Sequence, residues 1–342
     1  MRGVSAAWLI ALSAALLGPV MLRADPSPEI VGFADLDGWH ADDHASALDG
    51  FRRTCPALDG PEWQAVCAFA ETDPDPRLFF ELFFRPVEIA PHGHARYTGY
   101  YEPIIRASRT RTAIYRYPVH RRPSDLPSDG PWLTRAEIAE SPIMQGKEIA
   151  WLRNPADHYF LQIQGSGRLV LRDGTSLRLG FDGHNGQPFR PVSGEMVRRD
   201  IYEPHQVSSR VIRSWVGRNP DEGLELLNHD PSYVFFRVIE NHDDMAGPIG
   251  AMNRPLTAGR SLAIDPRHVP LGAPVWIEKD GDHAMRRLFV AQDTGGVIKG
   301  RGRADIFFGT GEAAGRMADT VSDTGRMVVL MPIERAYAML GQ

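Results

Sequence analysis

The sequence predicts a mainly β protein with satellite helices. Short apolar runs rich in β-branched and aromatic residues recur along the chain, turn formers separate them (33 Gly and 27 Pro in 342 residues), and helix-start signals are few and local. Residues 160–164, 169–171, 233–237, 274–277, 288–291 and 327–330 each read as a strand. Helices are expected over 42–54 and over 76–84, where Leu78, Phe79, Leu82 and Phe83 recur at helical spacing before Arg85-Pro86 ends the run. Thr134-Arg-Ala-Glu137 is a capping box, and Asn219-Pro-Asp-Glu222 is a close variant with Pro at the first helical position. Residues 208–217 and 311–320 make two more helices. The Pro/Ser-rich stretch 121–131 is a loop between subregions, and a second break falls at 241–248.

Residues 1–24 read as a secretory signal peptide. Arg2 precedes an apolar run over 6–21, shorter than the ~20 residues of a span, and Ala24 ends a small-residue cleavage site. Without that segment, which carries Arg2 and Arg23, the formal charge moves from −5 to −7, and a nucleic-acid partner, which calls for a basic face, is not expected. Cys55 and Cys67 lie 12 apart in a chain expected in an oxidising compartment; a disulfide is possible, although spacing alone does not bring two Cα atoms together. The scattered histidines and two cysteines make no metal-binding pattern.

The chemistry concentrates near the C-terminus. Asp293, in Ala-Gln-Asp-Thr-Gly-Gly, and Asp305, in Arg-Ala-Asp-Ile-Phe-Phe-Gly, flank a Gly-rich segment holding Gly295, Gly296 and Lys299; Asp265 lies upstream in Leu-Ala-Ile-Asp-Pro. Carboxylates at strand ends suit acid–base work, because burial and like-charge neighbours raise a pKa toward neutrality. Asp265, followed by Pro, reads as a turn starter, and Asp293 reads equally as a turn holder or as a support for Asp305. Lys299 could touch a substrate, pair with an aspartate or be solvated. In Tyr97-Thr-Gly-Tyr-Tyr-Glu-Pro103, strand alternation puts Thr98 and Tyr100 on one face and Tyr101 on the other. Gln164, Gly165, Ser166 and Gly167 form either a tight hairpin or a surface that approaches sugar hydroxyls closely, since Gly lets the backbone come near a ligand.

Four blocks resemble the membrane-bound lytic murein transglycosylase A family: 97–103, the stretch from Trp151 through Asp157-His-Tyr-Phe-Leu-Gln-Ile-Gln-Gly-Ser-Gly167, Asp230-Pro-Ser-Tyr-Val-Phe-Phe236, and the three-aspartate region from Pro248 to Met331. The resemblance implies a double-psi β-barrel domain from 25–105 and 241–342, a second β-domain inserted over 106–240, and a groove between them for a glycan strand. It implies cleavage of the β-1,4 bond between N-acetylmuramic acid and N-acetylglucosamine in peptidoglycan with a 1,6-anhydro product, no metal and no organic cofactor. The family's single acid/base falls on Asp305; Asp293, Asp265 and Lys299 are then supporting residues. Thr98, Tyr100, Tyr101, Gln164, Gly165, Ser166, Gly167, Gly295 and Gly296 are candidates for substrate binding. Two features depart from the pattern. No Cys lies near the N-terminus for lipid attachment, and Phe181-Asp-Gly-His-Asn-Gly-Gln-Pro-Phe189 is a looser version of a block that often carries tyrosines. The expected setting is the periplasm and the expected state a monomer, with outer-membrane association and a cell-wall enzyme complex left open.

Two rival readings remain. A second Asp-Thr-Gly at 323–325, after that at 293–295, suggests the paired aspartates of an aspartic protease, but 30 residues cannot encode a second lobe. A glycan-binding module without activity is the better alternative, because a fold does not imply catalysis.

Overall fold

The computed structural model describes residues 27–240 and 246–340. The expected signal peptide and the first part of the break at 241–248 lie outside the described residues. Among the described residues the chain forms thirteen strands: β1 (Glu29–Ile30), β2 (Phe84–Glu102), β3 (Ile104–Ser108), β4 (Tyr117–His120), β5 (Glu148–Leu152), β6 (Gly167–Leu171), β7 (Ser176–His184), β8 (Val234–Ile239), β9 (Ser261–Ile264), β10 (Pro274–Lys279), β11 (Met285–Thr294), β12 (Arg303–Thr310) and β13 (Ser322–Pro332). Ten helices surround them: α1 (His44–Thr54), α2 (Pro61–Ala70), α3 (Pro76–Phe83), α4 (Arg135–Glu140), α5 (Pro155–Gln164), α6 (Val192–Arg198), α7 (Ser209–Arg218), α8 (Pro220–Leu227), α9 (Glu312–Ala318) and α10 (Ile333–Leu340).

The first sheet runs β1-β2-β12-β9-β11-β10-β13, and β13 returns to pair with β2 along most of its length. That last pairing closes a barrel and removes its free edges. Alternation fills it: Tyr97, Leu262, Ile264, Val275, Ile277, Ala304, Ile306 and Val328 are buried in one core. The N-terminal helices cap it with aromatics, and Phe51 packs against Trp63, Phe79, Phe80 and Phe84. A disulfide between Cys55 and Cys67 (Cα–Cα 5.6 Å) joins the end of α1 to α2.

Every strand from Ile104 to Ile239 belongs to the second sheet, ordered β4-β5-β3-β6-β7-β8, with its own apolar cluster around Ala107, Leu152, Leu169 and Phe236. Glu102, at the end of β2, ties the two sheets. Its buried carboxylate accepts from Arg178 Nε and Nη2 on β7 (2.7 and 2.6 Å) and from the Thr310 hydroxyl on β12 (2.7 Å). Removing one partner of such a pair leaves a buried charge alone and typically costs about 3–5 kcal/mol.

Most local expectations hold. Asp43 and Asp75 cap α1 and α3 by accepting from Ser46 N and Leu78 N, and Thr134 with Glu137 makes a reciprocal capping box. Residues 160–164 are the exception: they are the last half of α5, not a strand. Asn154 caps that helix through Ala156 N, Pro155 occupies its first position, and Gly165 (φ 72°) ends it in the left-handed region. The expected hairpin at Gln164–Gly167 is therefore a helix C-cap. Asn219 does not cap α8 with its side chain; its Nδ2 donates to Trp215 O and closes α7 instead.

Gly99 sets the spacing between β2 and α9. A Cβ there would meet Ala318 Cα at 2.7 Å and Ala318 O at 2.9 Å, and helix backbone cannot yield as a flexible side chain does. We expect Gly99→Ala to cost about 1–3 kcal/mol in denaturant unfolding. Gly217→Ala, in α7 with nothing within 4 Å, should be neutral or stabilising by under about 1 kcal/mol. An unchanged midpoint for Gly99→Ala would show that the β2–α9 contact does not limit stability.

Candidate active site

Register brings the aspartates together. Thr98 on β2 lies opposite Asp305 on β12, Asp305 opposite Ala263 on β9, and Ala263 opposite Asp293 on β11. The four residues form one row across four neighbouring strands, so their side chains share a face. Ala304 and Ile306 point into the barrel core, which sends Asp305 outward. Ala263, the smallest of the row, lies between the two carboxylates. Tyr100, Phe307, Leu256 and Ala263 pack as a small apolar cluster beside the two acids.

Thr98 Oγ1 is 2.7 Å from Asp305 Oδ1 and 2.7 Å from Arg303 Nη2. A guanidinium only donates, so Thr98 accepts from Arg303 and turns its own proton toward Asp305. Oδ1 is thereby fixed as an acceptor, and Oδ2 is the oxygen left to carry an acidic proton. Burial raises the Asp305 pKa to about 6; the Thr98 hydrogen bond and the Arg303 charge pull it down, and Asp293 adds a small upward push. Of the two causes the sequence suggested, burial and a like-charge neighbour, loss of water outweighs the neighbouring charge.

Asp293 differs in its hydrogen bonds. Its carboxylate accepts from Tyr100 OH (2.9 Å), Ala251 N (2.9 Å) and Thr294 N (2.9 Å). Burial still raises its pKa, against those three bonds. Tyr100 is buried, which together with Asp293 pushes its phenol far up and keeps it a donor. Asp265 is held well below the usual carboxylate range by Arg267 and by Gly300 N, which donates at 2.9 Å, so it anchors the segment that follows Gly295 and Gly296. Gly295 lies tight against Ile298, which donates its N–H to Gly295 O, while Gly296 has open space around it.

The remaining candidates sort by contact. Thr98 and Tyr100 each reach a carboxylate. Tyr101 lies on the other face, its ring against Gly315 of α9 and its phenol beside Arg213 of α7. Gln164 Oε1 accepts from Tyr101 N (3.0 Å), so it fastens α5 to β2; Ser166 is buried, and a Cβ at Gly167 would strike Leu161. Lys299 is exposed and pairs with no carboxylate among the described residues. Asp323, the second Asp-Thr-Gly aspartate, is bonded to Lys279 Nζ (2.6 Å) and forms no dyad with Asp293. Arg303 escaped the sequence reading, although its place two residues before Asp305 in a strand puts both on one face. A cavity of about 510 Å³ between α1 and the starts of β9 and β11 is not lined by Asp305, and its Arg260 and Arg286 are already paired with Asp42 and Asp37.

The raised pKa makes a stability prediction. The folded value, about 6, lies above the unfolded value near 3.8, so the ionised carboxylate destabilises the fold fully above pH ~6 and not at all below pH ~3.8. Asp305→Asn should therefore be more stable than the parent by ~3 kcal/mol above pH 6, and the gain should vanish below pH 4. Denaturant unfolding at both pH values reads this; a pH-independent difference would place the Asp305 pKa near its ordinary value.

The sequence pattern of the MltA specific insert domain matches residues 96–237, and that of the 3D domain matches residues 260–331. The chain is 30% identical over 308 residues to the membrane-bound lytic murein transglycosylase A of Escherichia coli K12, a match covering 85% of this chain and 82% of that protein. The crystal structure of a membrane-bound lytic murein transglycosylase from Agrobacterium tumefaciens is similar with a TM-score of 0.80 at 30% identity, covering 92% of this chain and 100% of that one. E. coli MltA with bound chitohexaose gives a TM-score of 0.73 at 28% identity, covering 90% and 95%.

Proposed function

We infer the function from a membership that these likenesses establish: the chain belongs to the membrane-bound lytic murein transglycosylase A family. It is a lytic transglycosylase that cleaves the glycan strands of peptidoglycan, and the reading as a mere glycan-binding module is not favoured. We assign Asp305 as its acid and then its base. The observation that carries the assignment is the contrast in hydrogen bonding: Asp305 has one fixed partner and a pKa of about 6, while Asp293 is engaged three times and Asp265 is held ionised.

In the proposed reaction, Asp305 gives the proton on Oδ2 to the glycosidic oxygen as the bond to the muramoyl C1 breaks. The C6 hydroxyl of the same sugar then bonds to C1 and yields its proton to the carboxylate, which closes the 1,6-anhydro ring and restores the acid. A tethered nucleophile needs little positioning, so a second free carboxylate is not required. Asp293 supports by holding Tyr100 and the turn at Thr294 in place.

The division into a barrel of 25–105 and 241–342 with 106–240 inserted is supported by the two sheets and by Glu102–Arg178 at their junction. A periplasmic monomer acting on the cell wall fits relatives described as membrane-bound. No helix among the described residues is long and apolar enough to cross a membrane.

Mass spectrometry of fragments released from purified peptidoglycan tests the reaction. We expect ends one water lighter than hydrolysis products, absent with Asp305→Asn; reducing ends would instead mean a hydrolase. On the same substrate kcat/KM should fall above pH ~6 as the acid is lost. Thr98→Val removes a bond that favours the charged form and should move that alkaline limb upward. A limb that stays fixed would detach Thr98 from the acid.

A further inference from the structure

The run Gln164-Gly-Ser-Gly167 sits where the second sheet meets the end of β2. Hydrogen bonds leave a strand on alternate sides, so alternate residues of β2 share a neighbour. Arg96 N donates to Gly302 O and Glu102 O accepts from Gly311 N (both 2.8 Å), on the β12 side. Tyr101 therefore turns its N–H the other way, toward β13. The pairing of that strand with β2 has already ended, at Ser322 opposite Thr98. The N–H donates instead to Gln164 Oε1 (3.0 Å), a side-chain acceptor that α5 supplies in place of the missing strand. An amide without an acceptor is costly, so this bond selects one position for the strand end.

The neighbouring residues extend the attachment. Arg168 N donates to Pro103 O (2.8 Å), directly after β2. Gly165 (φ 72°) turns the chain from the helix end toward that contact, and a Cβ on Gly167 would lie 2.4 Å from Leu161 Cδ1 and 3.4 Å from Pro103 O. α5 is itself fixed, with Leu161 in the apolar cluster of the second sheet and Tyr159 and Phe160 packed with Val192, Ile212 and Leu226. The acceptor thus comes from a rigid element.

The Tyr101 N–H belongs to the peptide that joins it to Tyr100, and Tyr100 OH donates to Asp293 Oδ2 (2.9 Å). Holding that peptide holds the Tyr100 ring, and with it the carboxylate that shares a row with Asp305. We propose that Gln164 is a positioning residue: by accepting from Tyr101 N it sets Tyr100 and Asp293 beside the acid. The second sheet then takes part in the reaction through β2 rather than through a sugar contact at this side chain. This rests on the transglycosylase reading above, with Asp305 as the acid.

Steady-state kinetics on soluble glycan strands from peptidoglycan compare the full-length parent with Gln164→Leu and Gln164→Glu. Leucine removes both amide atoms, whereas glutamate keeps an acceptor and removes the donor. In Gln164→Leu kcat should fall ~tenfold with KM changed less than ~twofold, and Gln164→Glu should keep both within ~twofold. In a Tyr100→Phe background, where the bond to Asp293 is already lost, Gln164→Leu should cost under ~twofold more. A raised KM with kcat kept in both variants would overturn the proposal by giving the amide nitrogen to the sugar. Equal loss of kcat in both variants, no loss in either, or an undiminished loss in the Tyr100→Phe background would overturn it as well. Where Gln164→Leu does not fold, Gln164→Glu decides. Parental kcat and KM with Tyr101 amide exchange as slow as in the parent support the splint, and a raised KM, a lost kcat or faster exchange overturns it. The reading it rests on fails separately, if the parent protein releases no anhydro-ended fragments.

Discussion

The site depends on the last five residues of β2. Thr98 fixes Oδ1 of Asp305 as a hydrogen-bond acceptor, Tyr100 holds Asp293, Tyr101 takes Gln164 from α5, and Glu102 takes Arg178 from the second sheet. Gly99, between them, lets α9 close on the strand. β2 can serve all these contacts because it is 19 residues long and paired on both sides, parallel to β12 and antiparallel to β13. A slip of one residue would turn Thr98 and Tyr100 into the barrel and Tyr97 out of it. Tyr97, fully buried with its hydroxyl on Arg326 O, makes such a slip costly. The packing of the barrel interior thus holds the chemistry on its exterior in register.

Within that frame, three aspartates of one motif acquire three different characters. Asp265 meets a guanidinium and a backbone amide and stays charged. Asp293 and Asp305 both lose water, but three donors face the first and one hydroxyl faces the second. Each donor to a carboxylate favours its charged form, so the count of donors, more than the distance between the acids, decides which one retains a proton near neutrality. Arg303 acts on Asp305 through Thr98 and through its charge, and both effects oppose burial. The result is an acid poised near the middle of the useful range rather than one locked in the neutral form.

What could be read from the sequence was local. Caps at Asp43, Asp75 and Thr134, the strand-like runs and the Gly-flanked aspartates each carry their signal within a few residues. What could not be read was register. Nothing near Thr98 says that it will lie opposite Asp305, 207 residues away, or that β13 will close on β2. The first part of β2 was hidden, because Pro86, Pro91 and Gly93 break its pattern, while its end at 97–102 read as a strand. Residues 160–164 were misread for the opposite reason. Their apolar density suggested a strand, while Asn154-Pro155 and Gly165, the start and stop of a helix, stood just outside the run. As the last residue of that helix, Gln164 accepts from Tyr101 N through its Oε1.

One carboxylate is enough for this chemistry if its partner is the substrate. A hydrolase must place a water opposite the leaving group and deprotonate it, which calls for a second carboxylate with open lone pairs. Asp293 spends three of its roughly four lone-pair directions on Tyr100, Ala251 and Thr294, so it is poorly suited to that task. An internal hydroxyl needs no such help, because well-oriented tethered groups act at effective molarities of about 10⁵–10⁸ M, far above what free water can reach. Tyr100, Leu256, Phe307 and Ala263 form a buried apolar cluster beside the two acids, which contributes to their loss of water. In the proposed reaction, competition between ring closure and hydrolysis is then decided by proximity rather than by a second base, and the proton given away by Asp305 would return to it from the hydroxyl that closes the ring.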